Sequence, residues 1–149
     1  MPRTVTPDVN VLVAASRSDH PHYDVARSWL ERAVANATHG VVLTLQPMVI
    51  ASFLRLVTHP KVFVHPTPML DALRFIDALL AAPGVQQSTL GGEWQALRKL
   101  CADKTLSAND VPDAWLAAAV MHQGEHLVSF DADFKHLLPR NQFTRLAAA

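Results

Sequence analysis

The sequence is short of cysteine, glycine and tyrosine, with one Cys, five Gly and one Tyr in 149 residues. A single thiol, Cys101, excludes an internal disulfide and suits a reducing compartment. Long apolar runs are missing too. No stretch reaches the roughly 18 residues of a membrane span, so no membrane association is expected. The opening MPRTVTPDVN has no apolar signal core, which with the lone thiol points to the cytoplasm. Charge of one sign is also absent: 13 Lys and Arg offset 13 Asp and Glu, so no overall field advertises nucleic acid or an anionic surface. There is no Gly-rich phosphate loop, no Gly-x-Ser-x-Gly elbow and no finger spacing of Cys and His.

What is present is apolar: half of the residues are hydrophobic. At this length that builds one core, and a single domain over 1–149 is expected. Apolar Ala26, Trp29, Leu30, Ala33 and Val34 recur at helical spacing behind Asp19, a candidate cap. Val41 to Leu45 reads as a buried strand, and Pro47 opens a helix through Val57. A Pro/His loop over 58–66 precedes a helix on Met69, Leu73, Ile76 and Leu80. Val85 to Leu90 reads as a strand, weakened by its polar content. Trp94, Leu97, Leu100 and Cys101 share a helical face, and Ala114 to Met121 form an apolar helix ended by Gly124. Leu127 to Phe130 and Gln142 to Leu146 complete the set as strands. Strands interleaved with helices predict a three-layer α/β/α domain with a short central parallel sheet. In such sheets ligands sit beyond the carboxyl ends of the strands.

The acids fall where that rule wants them. Asp8 ends the first strand, after Thr4 to Pro7. Asp131 follows Leu127 to Phe130, with Asp133 two positions on. Asp113 lies in the first turn of the apolar helix, and Asp110 stands near its start. Asp110, Asp113, Glu125, Asp131 and Asp133 crowd into 110–133, otherwise among the most apolar stretches of the chain. Acids beside core segments are costly without a compensating cation or hydrogen bonds. Oxygen-only ligands favour Mg²⁺ or Mn²⁺. The alternative is local: Asp110 caps a helix, Asp113 meets its dipole, and Asp131 and Asp133 form an Asx turn.

Pro7-Asp8-Val9-Asn10-Val11-Leu12-Val13, Asp19-His20-Pro21-His22, Phe53-Leu54-Arg55-Leu56-Val57-Thr58-His59-Pro60, Val111-Pro112-Asp113-Ala114-Trp115 and Leu127-Val128-Ser129-Phe130-Asp131-Ala132-Asp133-Phe134 follow one another in an order that resembles PIN-domain ribonuclease toxins of the VapC family. The resemblance runs from residue 7 to residue 134. It implies a Mg²⁺- or Mn²⁺-dependent endoribonuclease that cuts structured RNA such as tRNA or rRNA. It further implies the toxic half of a type II toxin–antitoxin pair, a homodimer, and a VapB-type antitoxin as partner. Carried over by motif, Asp8, Asp113 and Asp131 are the metal ligands and Asp133 an outer member of the catalytic set. Asn10 and Ser129 match polar positions that hydrogen-bond carboxylates or water. The family's glutamate three residues before the arginine matching Arg55 is here Ser52. Asp110, or a water held by Ser52, is expected at the place left open. Pro7 replaces an apolar strand residue and is expected to end strand pairing one residue early.

Arg17, Arg55, Lys61, Lys135 and Arg140 are the basic residues expected nearest the site, with Arg17 and Arg55 as candidate RNA contacts. His20 and His22 are expected to pack at a helix start rather than bind zinc, and His122, His126 and His136 to surround the acidic motif. The three tryptophans are assigned to core or interface. Two rival readings share the same residues: a PIN-like binding module weakened by Ser52, and a metal-dependent DNA nuclease.

Overall fold

A computed structural model describes residues 3–147. The chain runs β1 (Arg3–Pro7), α1 (Val9–Ser16), α2 (Tyr23–Asn36), β2 (Val41–Leu45), α3 (Pro47–Val57), α4 (Met69–Ala81), β3 (Val85–Gln87), α5 (Trp94–Asp103), α6 (Asp110–Gln123), β4 (His126–Ser129) and β5 (Phe143–Arg145). Two 3₁₀ turns, Ala132–His136 and Arg140–Gln142, connect the last two strands. The strands form one sheet of order β3-β2-β1-β4-β5, and every pairing is parallel. Because parallel crossovers are right-handed, α1 to α4 cover one face and α5 and α6 the other. The packing agrees: α1 lies against α2 and α3, α3 against α4, and α5 against α6. This is the expected three-layer α/β/α architecture.

The order in which strands are added to the sheet reverses between β1 and β4, although all of them run parallel. Chains leave these two neighbouring strands toward opposite faces, which opens a crevice at their carboxyl ends. The core beneath it is built from Leu12, Leu43, Leu45, Phe53, Val57, Val120, Leu127 and Phe134, all essentially inaccessible. No helix among the described residues is long and apolar enough to cross a membrane.

Several local expectations are corrected. The helix α1 has no counterpart in the sequence reading, since Val9–Ser16 is buried nearly all round and carries no polar face to reveal its period. Asp19 does not cap α2, which starts four residues later behind His22; its carboxylate pairs with Arg17 instead. Pro7 interrupts only one of the two ladders. Pairing with β2 stops at Val5 opposite Leu43, while pairing with β4 reaches Pro7 opposite Val128. The Asp8 N–H continues that second ladder by donating to the Val128 carbonyl at 2.9 Å. Of the two places assigned to the tryptophans, core or interface, the core does not hold for Trp94, which is 60% exposed, or for Trp115, which is 37% exposed. His126 begins β4, at the end of the strand opposite the acids, where its ring contacts the Asn141 carbonyl and the Thr144 hydroxyl.

Candidate active site

Asp8 ends β1 and caps α1 in one step. Its extended backbone lets Oδ1 accept the Val9 N–H at 2.7 Å. Oδ2 accepts from the Ser129 hydroxyl at 2.8 Å, although the two residues are 121 positions apart. Ser129 ends β4, so the neighbouring strands meet through this contact where the strand order reverses. The same Oγ accepts from Asn10 Nδ2 at 3.1 Å and from the Asp131 N–H at 3.0 Å. Asn10 Oδ1 in turn accepts the Phe130 N–H at 3.3 Å. One hydroxyl, with one proton and two lone pairs, thus fixes Asp8, Asn10 and the Asp131 backbone together. Asp8 is only 7% exposed. Burial raises its pKa above the ordinary carboxylate value, while the Ser129 and Val9 hydrogen bonds oppose the rise and Asp131 adds to it.

Asp113 approaches from α6. It lines a small cavity of about 150 Å³ with Asp8, Val9, Met48, Ser52 and Leu116. Burial first, and then the charges of Asp8, Asp131, Asp133 and Asp110, push its pKa up to about 6. The amino ends of α1, α3 and α6 all reach this cavity, because Val9, Met48 and Asp113 belong to their first turns. Helix N-termini carry partial positive charge, which lowers the cost of gathering carboxylates here. Asp131 Oδ1 accepts the Asp133 N–H at 2.9 Å and caps the following 3₁₀ turn, the local turn foreseen as an alternative. Asp133 itself is exposed.

Of the groups weighed for the missing glutamate, Ser52 lines the cavity, whereas Asp110 is exposed at the first position of α6 and acts on Asp113 through its charge. Arg55 is exposed one turn beyond Ser52 on α3. Arg17 serves another purpose than the expected RNA contact. Its buried guanidinium donates to Asp19, to the Thr67 hydroxyl and to the His65 carbonyl, and lies 3.7 Å over the Phe63 ring. It therefore clamps the 58–68 loop rather than facing a substrate. Glu125 leaves the acidic group as well. It is buried and accepts from Thr44 Oγ1 at 2.5 Å, from Ser88 Oγ at 2.9 Å and from Gln46 Nε2. His22 stacks on Phe130 with ring centres 5.0 Å apart, and its N–H donates to His20 Nδ1 at 3.0 Å, the packing role expected of this pair.

The acids at the crevice are all-oxygen donors. Their charges act on one another, and none has a Lys or Arg partner: the ion pairs among the described residues are Arg17–Asp19, Arg27–Glu31, Arg74–Asp71 and Lys99–Asp103. Among the described residues, no three His, Cys, Asp or Glu side chains already stand together as a ready metal-binding group. The chemistry of the set, hard oxygen donors with uncompensated negative charge, fits a hard divalent cation.

The family profile for the PIN domain matches residues 5–137. Curated relatives include Ribonuclease VapC25 of Mycobacterium tuberculosis, 39% identical over 85% of this chain and 88% of its own, and VapC ribonuclease Mb2897 of Mycobacterium bovis, 40% identical over 85% of each. The chain belongs to the VapC ribonucleases of the PIN domain family. Solved VapC structures share its fold at low identity. VapBC2 from Rickettsia felis, bound to a DNA fragment from its promoter, gives a TM-score of 0.68 at 17% identity, covering 97% of this chain and 99% of that one. The Sarcin-Ricin loop cleaving toxin VapC20 of M. tuberculosis gives 0.59 at 18% identity, over 89% and 93%. The PIN domain match, residues 5–137, takes in the end of the first strand, the amino end of α6 and the turn after β4, the segments that carry Asp8, Asp113 and Asp131.

Proposed function

We propose that this protein is the toxin of a type II toxin–antitoxin pair and acts as a Mg²⁺- or Mn²⁺-dependent endoribonuclease on structured RNA, tRNA or rRNA. The observation that supports it most is that Asp8 and Asp113 line one cavity beside the carboxyl ends of β1 and β4, with the charge of Asp131 acting on both. Curated relatives at about 40% identity are named ribonucleases, and one structural neighbour is described as cleaving the sarcin–ricin loop.

Asp8, Asp113 and Asp131 would hold the cation, with Asp133 outside them and Ser52 offering a hydroxyl or its water. When bound, the cation supplies charge to a phosphodiester oxygen and acidifies a water. The protein's own part is positioning. Ser129 and the Val9 N–H fix both Asp8 oxygens, and Asn10 fixes Ser129. Apolar Met48, Val49 and Leu116 keep the cavity poorly solvated, where charges act more strongly. Asp113, its pKa raised to about 6 without a cation, is a carboxyl whose proton cation binding would displace.

The reading also assigns a homodimer and a VapB-type antitoxin, whose arginine would suit this carboxylate group. The FitAcB structure of Neisseria gonorrhoeae, with a TM-score of 0.52, and the VapBC2 complex support such a partner. The test is cleavage of total RNA by purified protein. Cleavage should need Mg²⁺ or Mn²⁺ and disappear in Asp8→Ala and Asp113→Ala. Persistence in excess EDTA or in both variants overturns the mechanism. Ser52 at the cavity favours one second reading, an RNA-binding module, which predicts RNA retention without turnover; cleavage of DNA alone would make the protein a DNA nuclease.

A further inference from the structure

Beside the acidic crevice the protein carries a second pocket of opposite character. Lys135, Arg140 and Arg145 line a cavity of about 300 Å³ with Ala132, Leu138 and Phe143. None of the three cations has a carboxylate partner among the described residues. In a chain with no net charge, three unneutralised cations around one hollow are a local field of their own. The floor is apolar: Leu138 is buried, and Phe143 is half-buried with its ring 6.0 Å from that of Phe134.

The pocket is tied to the crevice by two elements. Lys135 lies in the 3₁₀ turn that Asp131 caps. Arg145 lies on the edge strand β5 in register with Ser129, the residue that holds Asp8. Arg140 opens the short turn that leads into β5. A strand held at the crevice therefore meets Arg145 one sheet position away, with Lys135 on the adjoining turn and Arg140 farther along, toward the amino end of β5. Forked guanidiniums and an ammonium around a small hollow suit the oxygens of a phosphodiester.

We propose that this basic pocket binds a phosphate of the RNA strand flanking the scissile bond, and so sets the register in which the strand crosses the acids. The proposal rests on the ribonuclease reading above and extends it to residues outside the acidic group. The pocket offsets the repulsion that a cluster of aspartates exerts on a polyanion, and it does so on the β5 side of the crevice. The strand is thereby given a direction as well as affinity. An acidic peptide offers carboxylates rather than phosphates and is the competing occupant.

The test uses the full chain, the double variant Arg140→Ala/Arg145→Ala, and Arg32→Ala on the exposed surface of α2 as a charge control. Binding of a short single-stranded RNA is measured in EDTA across a salt series, and cleavage is measured separately with Mg²⁺. In the double variant KM should rise on the order of tenfold with kcat within about twofold. The slope of log K against log salt should shrink by roughly 0.7 for each phosphate contact removed. The control should change neither. Cleavage with unchanged KM and salt slope in the double variant overturns the pocket while leaving the ribonuclease reading standing. RNA binding in EDTA that needs Arg140 and Arg145, with no metal-dependent cleavage by the parent protein, overturns that reading and retains the pocket. Loss of a poly-glutamate peptide with full retention of RNA assigns the pocket to acidic peptides and overturns the proposal. RNA binding absent altogether overturns both.

Discussion

Ser129 donates its hydroxyl proton to Asp8 across the boundary between β4 and β1, joining the last buried strand of the sheet to the first. Replacing Ser129 with Ala removes that donor, and it also removes the acceptor used by Asn10 and by the Asp131 N–H. Groups that orient metal-binding carboxylates typically affect activity about 10–100-fold. Ser129→Ala should lower kcat by that order, and Ser129→Thr should restore part of it. Because the Ser129 hydrogen bond lowers the Asp8 pKa, the acid limb of the pH–rate profile should move to higher pH in the alanine variant. An unmoved limb would reduce Ser129 to a packing residue.

Asp113 predicts an unusual slope of stability with pH. Its pKa is raised from 3.8 to about 6 in the folded protein, so between those values the folded state holds a proton that the unfolded chain releases. The stabilising contribution is present below about pH 4 and is lost as pH rises through about 6. Asp8, also raised, acts in the same direction. Melting temperatures in EDTA should therefore lose ground over this range relative to Asp113→Asn, which removes the titration. Saturating Mg²⁺ should reduce the difference by stabilising the folded form at neutral pH. Parallel curves for the two proteins would refute the assignment.

Arg17 predicts a stability phenotype. Its side chain is 7% exposed, and it bonds the 58–68 loop through the His65 carbonyl and the Thr67 hydroxyl. Arg17→Ala leaves those acceptors and the Phe63 face without a partner and should cost roughly 2–3 kcal/mol. Limited proteolysis should then cut first within 58–68. Arg17→Lys should recover little, because an ammonium does not reproduce the fork or its stacking.

The Glu125 network predicts a second loss, unconnected to chemistry. Glu125→Ala strands the donors of Thr44, Gln46 and Ser88 in the interior, and should destabilise the protein by on the order of 3 kcal/mol or more. Denaturant unfolding measures this directly. RNA cleavage per folded molecule should stay near the parent value, which separates Glu125 from the acids of the crevice.

The sequence discloses the architecture where short-range chemistry decides it. Pro47 at the first helical position and an apolar run to Val57 delimit α3, and the left-handed Gly124 closes α6. The placement of Asp8 and Asp131 at strand ends is legible for the same reason, since alternation of strands and helices sets the direction of each strand. Other features depend on what the chain packs against. Val9–Ser16 has only Asn10 and Ser16 as polar residues and no polar face, so nothing local separates helix from strand there. Arg17 reads as a free cation until the distant loop folds over it, and Glu125 reads as one more acid until three donors surround it. Arg145 lies within the stretch foreseen as an edge strand, yet its neighbourhood to Ser129 is a matter of register, which no local pattern fixes.

The order of the sheet also bears on synthesis. Asp8 is synthesised 121 positions ahead of Ser129, which with Asp131 completes its surroundings. Until β4 inserts beside β1, a growing polypeptide carries Asp8 without the crevice that surrounds it in the folded protein.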